Sequence, residues 1–306
     1  MSLWIPVTLG AAVCQILRTS RQHDLRAHLS PSAAGFARYL YGLPFAIVSS
    51  TVAFGVFGRP IPGVPVGFWG PLLGAAVAQI VATIALLQSF RERDFAVGTV
   101  FSKTEVLIVA ALGAVGVGQA LRPWGWLGAV LVAGGVILLS LPDPREPAAG
   151  AAVDGAAARS AWRPAALGLA AGAGFGFAAI GIGAAARSLD GGAPVERALL
   201  TLTVLLATQT GLNGAWFAVR NPDELRRCAA AWRPALSVGL LSMAGSLGWA
   251  WAFTLEGAAK VRTLGQVELL LAFAVGLLVH GEHHPRRDYL AGALVLAGAV
   301  VVAALA

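Results

Sequence analysis

AVGTVFSKTEVLIVAALGAVGVG, residues 96–118, and VRTLGQVELLLAFAVGLLVH, residues 261–280, are apolar stretches of helix length. Each has one carboxylate well inside it, Glu105 and Glu268. At ~1.5 Å per residue both acids sit roughly 10–15 Å along their helices, near the middle of a ~30 Å hydrocarbon layer. Insertion scales put an acidic residue there at about 2.5–3.5 kcal/mol, so a mid-membrane carboxylate marks function by default. At an offset of 163 residues the two stretches align without a gap. Phe90, Ala96, Glu105, Leu107, Ala111, Gly113, Gly118 and Leu127 then match Phe253, Ala259, Glu268, Leu270, Ala274, Gly276, Gly281 and Leu290. Alanine, glycine and leucine are common throughout the chain, so the matched mid-span acids are what point to an internal duplication.

The composition agrees with a lipid environment. Of 306 residues, 57% are hydrophobic and 12% charged, against about 25% charged in soluble domains. The net charge of +7 would suggest nucleic acid in a soluble chain. Here the basic residues fall between apolar runs, where topology and lipid headgroups account for them, and a nucleic-acid partner is not expected. Cys14 and Cys228 are far apart and form neither a disulfide framework nor a metal-type spacing. The N-terminal apolar run has no preceding charge and no clear small-x-small cleavage site, so it is read as a first span.

Ten spans are expected: residues 3–17, 32–57, 66–90, 96–118 and 124–141, then 162–186, 194–219, 232–255, 259–280 and 289–304. Residues 142–161, PDPREPAAGAAVDGAAARSA, lose the apolar pattern and read as a linker between a first repeat (1–141) and a second (162–306). Five spans per half make the second copy enter the membrane from the opposite side. The expected fold is therefore an all-α membrane protein of ten transmembrane helices in two inverted five-helix repeats. Inverted repeats place a substrate site near the midplane at their interface. Loops after odd-numbered spans are richer in Lys and Arg than the others, which puts both termini outside the cytoplasm.

The closing block of each repeat carries a family resemblance. FTLEGAAKVRTLGQVELLLAFAVGLLVHGEHHPRRDYLAGALVLAGAVVV (253–302) has a helix with mid-span polar residues, then Gly-Glu, then a Gly/Ala-rich last helix. VGTVFSKTEVLIVAALGAVGVGQALRPWGWLGAVLVAGGVILL (97–139) repeats it with Gln119 in place of the glutamate. Together with the half-chain duplication, these blocks resemble the EamA type of the drug/metabolite transporter superfamily. The resemblance implies ten helices in two inverted repeats and a bacterial inner-membrane transporter of small metabolites or drugs, often an exporter. It also implies cytoplasmic termini, against the charge count.

Glu105 and Glu268 are the leading candidates for substrate binding or proton coupling, because a carboxylate in low dielectric tends to hold its proton and can exchange it when its surroundings change. The plainer reading is a structural ion pair or hydrogen bond to Lys103, Arg38 or Gln266. Lys103, Ser102 and Thr104 beside Glu105, and Gln266 beside Glu268, are candidates to line a cavity; Lys103 could equally snorkel to the interface. Arg38, followed by Tyr39 and Tyr41, suits an anionic substrate group through bidentate hydrogen bonds, or a pairing with glutamate that holds the fold. Trp249 or Trp251, with Gln79 and Gln88, could form an apolar wall with a few polar groups. Trp249 and Trp251 point to different helix faces, so at most one faces a cavity. The four-residue spacing of Gly168, Gly172 and Gly176 reads as helix packing rather than a nucleotide loop. His280, Glu282, His283 and His284 lie together in sequence without a second ligand cluster, and a solvated loop is preferred to a metal site.

No cofactor is expected, and no ATP-binding loop is legible. The expectation is thus a non-enzymatic secondary transporter, an exporter or exchanger, working as a monomer or homodimer. Its partners would be a small solute, membrane lipids and, as a candidate coupling ion, the proton. The alternative is a membrane enzyme or flippase acting on a lipid-linked substrate. The enzyme reading lacks HExxH, GxSxG or a paired-Asp motif.

Overall fold

In a computed structural model the described residues are 2–25, 29–92, 105–106, 108–110, 122–140, 162–268, 270–271 and 286–305. They are almost wholly helical. The named helices are α1 (Trp4–Leu25), α2 (Pro31–Ser50), α3 (Trp69–Glu92), α4 (Pro123–Ser140), α5 (Trp162–Ser188), α6 (Pro194–Arg220), α7 (Pro222–Ala230), α8 (Trp232–Leu255), α9 (Ala258–Gly265) and α10 (Arg286–Leu305). Residues 105–106 and 108–110 are helical as well.

Five helical stretches are long and apolar enough to cross a bilayer: Ser32–Val56, Val66–Leu86, Ala166–Ser188, Pro194–Arg220 and Trp232–Leu255. Trp4–Arg18, Pro123–Leu138 and Tyr289–Val302 are shorter apolar helices. Large side chains such as Val48, Val56, Val77, Val81, Leu240 and Val300 point outward, as lipid rather than water permits. The chain is a membrane protein with several spanning helices.

Helix ends follow from local chemistry. Ser30 caps α2, its Oγ accepting from the Ala33 amide, and Pro31 sits where its missing N–H is no loss. A six-residue π-helical stretch, Thr51–Val56, extends α2. Short, strongly amphipathic α7 buries Glu224 and Cys228 and keeps Arg226 and Arg227 outward. Two expectations need correction. The first helix runs on to Leu25, so Arg18 and Arg21 belong to α1 rather than to a loop. The ninth span is not one unbroken helix: α9 stops at Gly265, and a turn at Gln266 precedes helical Val267 and Glu268.

The broadest helix contacts join α3 to α5, α4 to α10 and α1 to α8; α8 also packs against α2 and α6. Small residues allow this close approach. A Cβ on Gly174 would stand 2.8 Å from the Cβ of Ala82, and one on Gly248 2.8 Å from that of Ala11. Between α4 and α10 the contacts are reciprocal. A Cβ on Gly135 would meet the Ala291 carbonyl at 2.6 Å and Val295 Cγ2 at 2.8 Å. One on Gly298 would meet the Gly128 carbonyl at 2.5 Å and Val132 Cγ2 at 2.7 Å. Each residue of the second set stands 163 positions from its counterpart in the first, the offset that aligns Glu105 with Glu268. The pairing order also makes α4 and α10 antiparallel.

Candidate functional site: a buried polar network

Four separate parts of the chain meet around the two glutamates. Helix α1 supplies Gln15 and Arg18, three residues apart and therefore on one face. Helix α8 supplies Trp249 and Phe253, one turn apart, with rings stacked at 6.1 Å. Helix α9 supplies Arg262, and the residues after its break supply Glu268. The helical residues 105–106 and 108–110 supply Glu105, close to α5, where a Cβ on Gly176 would meet Val109 Cγ2 at 2.7 Å.

These side chains form one continuous path. Arg262 is ion-paired with Glu105, Nη1 to Oε1 at 3.3 Å. Its guanidinium lies over the Trp249 ring at 5.0 Å and the Phe253 ring at 5.5 Å. Trp249 Nε1 donates to Gln15 Oε1 at 3.0 Å, and Gln15 Nε2 donates to Glu268 Oε2 at 2.6 Å. Glu105, Glu268 and Trp249 are all buried. Glu105 is held by the Arg262 ion pair and Glu268 accepts from the Gln15 amide; removing one partner of a buried ion pair typically costs about 3–5 kcal/mol. The break at Gly265 has a steric role here. The Trp249 ring packs against Gly265, and a Cβ there would overlap the ring.

Arg18 extends the network, within electrostatic reach of Glu268, Arg38, Tyr39 and Arg262. The Arg38 guanidinium stacks on Tyr39 at 5.0 Å. From Tyr39 a second polar string crosses α2, α3 and α6. The Tyr39 hydroxyl lies 3.3 Å from Thr83 Oγ1, Thr83 donates to the Gln79 carbonyl at 2.7 Å, and Gln209 Nε2 donates to Gln79 Oε1 at 2.6 Å. Gln209 is completely buried.

Of the candidates read from sequence, Glu105, Glu268 and Trp249 join one network, and Arg38 stands at its edge. Gln79 lies in the second string. Gln266 is buried, with Nε2 donating to the Arg262 carbonyl at 3.4 Å and Oε1 without a hydrogen-bond partner. Gln88 is exposed, and Trp251 is half-buried and outside the path. Lys103, Ser102, Thr104, Gln119, His280, Glu282, His283 and His284 lie outside the described residues. Among the described residues no cluster of metal-ligand side chains occurs. The expected partners of Glu105 did not include the one it has. Arg262, Gln15 and Arg18 escaped the sequence reading, although Arg262 lies inside the predicted ninth span, where an arginine needs as much explanation as a glutamate.

Comparison with known proteins bears on this arrangement in two ways. A solved structure titled only "Crystal structure of protein" superposes with a TM-score of 0.71, covering 100% of this chain and 99% of its own. At 14% identity this is a likeness of fold alone. Among curated proteins no match was found. A family profile described as the EamA-like transporter family matches residues 3–141. Those residues, which carry Gln15, Arg18, Arg38 and Glu105, are similar to the EamA-like transporter family, which belongs to the drug/metabolite transporter superfamily.

Proposed function

We propose that the chain is a secondary transporter of a small metabolite or drug in the bacterial inner membrane, an exporter or exchanger working by alternating access between two inverted five-helix repeats. The observation that carries this reading is the buried path from Glu105 through Arg262, Trp249 and Gln15 to Glu268, because its members come from both halves of the chain. A network joining two halves must rearrange if they rock against each other, and a solute entering it can take over its hydrogen bonds. The reciprocal α4–α10 contacts at the 163-residue offset support the repeat. So do the pairings of α3 with α5 and of α8 with α1, which exchange when the halves are swapped.

In this reading Glu268 and Glu105 bind the solute or protons, Arg262 holds Glu105 in place, and Trp249 forms the apolar wall. Broken backbone at membrane depth is tolerated where it is buried in protein or lines a cavity, and the turn at Gln266 fits that pattern. The test is counterflow in liposomes loaded with amino acids, nucleosides or cationic dyes, with and without an imposed pH gradient, on the native chain and Glu268→Gln. The reading expects one solute class to exchange, with loss of the pH response in the variant. Absence of flux for every class, with turnover of a lipid-linked substrate, would overturn it in favour of an enzyme.

A further inference from the structure

Helices α2 and α6 begin alike: Pro31 and Pro194 stand 163 positions apart, each after an extended N-cap residue, Ser30 and Ala193. At each start a connector from the other half of the chain reaches over the first turn. The segment between α2 and α3 reaches the start of α6. There Gly63 and Asp190 exchange backbone hydrogen bonds of 2.8 and 2.9 Å, and Arg59 Nε stands 4.0 Å from Glu196 Oε1. A Cβ on Gly192 would stand 2.9 Å from Pro62 Cγ. Helix α7, between α6 and α8, reaches the start of α2. Ser30 Oγ donates to Glu224 Oε2 at 2.8 Å, and Cys228 Sγ to the Ala33 carbonyl at 3.5 Å. The 25-residue apolar stretch Ser32–Val56 lies between the two latches; at ~1.5 Å per residue it puts them about 37 Å apart, at opposite ends of a spanning helix.

The two latches differ in strength. At the α7 latch Cys228 packs with Leu25, Leu29 and Ala33 in one apolar core. At the other, Gly63 and Asp190 are exposed and the Arg59 side chain is 65% exposed, so water competes for every contact. Segments with exposed backbone hydrogen bonds and little apolar burial open first. This latch also leads to the polar network. Arg187, three residues before Asp190, donates through Nη1 to the Phe253 carbonyl, and the Phe253 ring stacks on Trp249. We propose that the α2–α3 segment is the gate at its face of the membrane: the Gly63–Asp190 bridge parts to admit solute to the network while the α7 latch stays shut. The word solute rests on the transporter reading; the parting of the bridge does not.

A Cβ on Gly63 would stand 3.3 Å from that of Asp190, close to the ~3.5–4.5 Å that a disulfide spans. Gly63→Cys with Asp190→Cys, in a Cys14→Ala background, therefore locks the bridge on oxidation. The Cys14→Ala parent, taken through the same oxidation, controls for Cys228. Counterflow of whichever of amino acids, nucleosides or cationic dyes the reduced protein exchanges should fall at least about tenfold on oxidation and return on reduction. Equal flux in both forms would overturn the gate and leave transport standing. Spin labels on Ile61→Cys and Ala193→Cys, both exposed positions, read the bridge without flux. In liposomes they should give a short and a long distance population, the long one raised about two- to fivefold by Arg59→Gln. A single short population, unchanged by that substitution, would overturn the proposal whatever the flux. Two populations in a chain that moves none of these solutes would sink transport and keep the moving bridge.

Discussion

Arg262→Gln should leave the Glu105 carboxylate buried without its cation. The two side chains stand 3.3 Å apart and are 13% and 9% exposed, so little solvent screens them. With charge centres about 4 Å apart and an effective dielectric near 20, their attraction is about 4 kcal/mol. Breaking such a pair from one side typically costs about 3–5 kcal/mol, because the remaining charge stays desolvated. Removing both charges, as Glu105→Gln with Arg262→Gln, abolishes that penalty and leaves mainly the loss of the cation–π contact with Trp249, about 1 kcal/mol. The double variant is therefore expected to be at least about 2 kcal/mol more stable than Arg262→Gln alone. Denaturant titration of the four proteins in one detergent, followed by tryptophan fluorescence, closes the double-mutant cycle. Additivity of the single effects within about 0.5 kcal/mol would refute the reasoning, since the two groups would then not be coupled.

Other outcomes follow from the same contacts. Gly265→Ala should push the Trp249 ring from its seat, and the strain plus the lost Gln15 hydrogen bond should cost about 2–4 kcal/mol; a variant as stable as the native chain in the same titration would contradict that packing. Gly135→Leu and Gly298→Leu should be equally damaging, within about 0.5 kcal/mol, because each glycine meets the other helix through contacts equivalent at the 163-residue offset. Thermal unfolding of the two variants side by side checks this. The Cys228 thiol on the buried face of α7 is pushed up to about 11 by burial and by Glu224, so in a Cys14→Ala background it should react with maleimide about a hundredfold more slowly than a free thiol at neutral pH. The same shift gives a sign for pH. The stability gained by keeping that thiol protonated is intact below about 9 and is lost as pH rises towards about 11, where the folded chain ionises too. Chemical denaturation across that window, compared with Cys228→Ala, would measure the difference.

The sequence carried the helical architecture because apolar runs of about 20 residues have few other outcomes. It also carried Glu105 and Glu268, since an acid inside such a run stands out by its insertion cost. What it could not carry was partnership. Gln15 lies 253 positions from Glu268, and no periodicity links α1 to the segment after α9. Arg18 read as a loop residue because the apolar run stops there, yet the helix continues and turns that side chain inward. Arg262 precedes the apolar core of its span, and nothing in the sequence around it signals that it lies over Trp249. Trp249 and Trp251 show the limit from the other side. Helical spacing separated their faces, but only the seat on Gly265 decides which of them meets the network.

The central claim is that each half of the chain contributes a necessary carboxylate to one translocation site. Solute counterflow on Glu105→Gln and Glu268→Gln, each reconstituted at the native protein level and confirmed as folded, tests it most directly. The account predicts that either substitution alone removes most of the flux or its response to a proton gradient. Native flux and native proton response in both variants would contradict it.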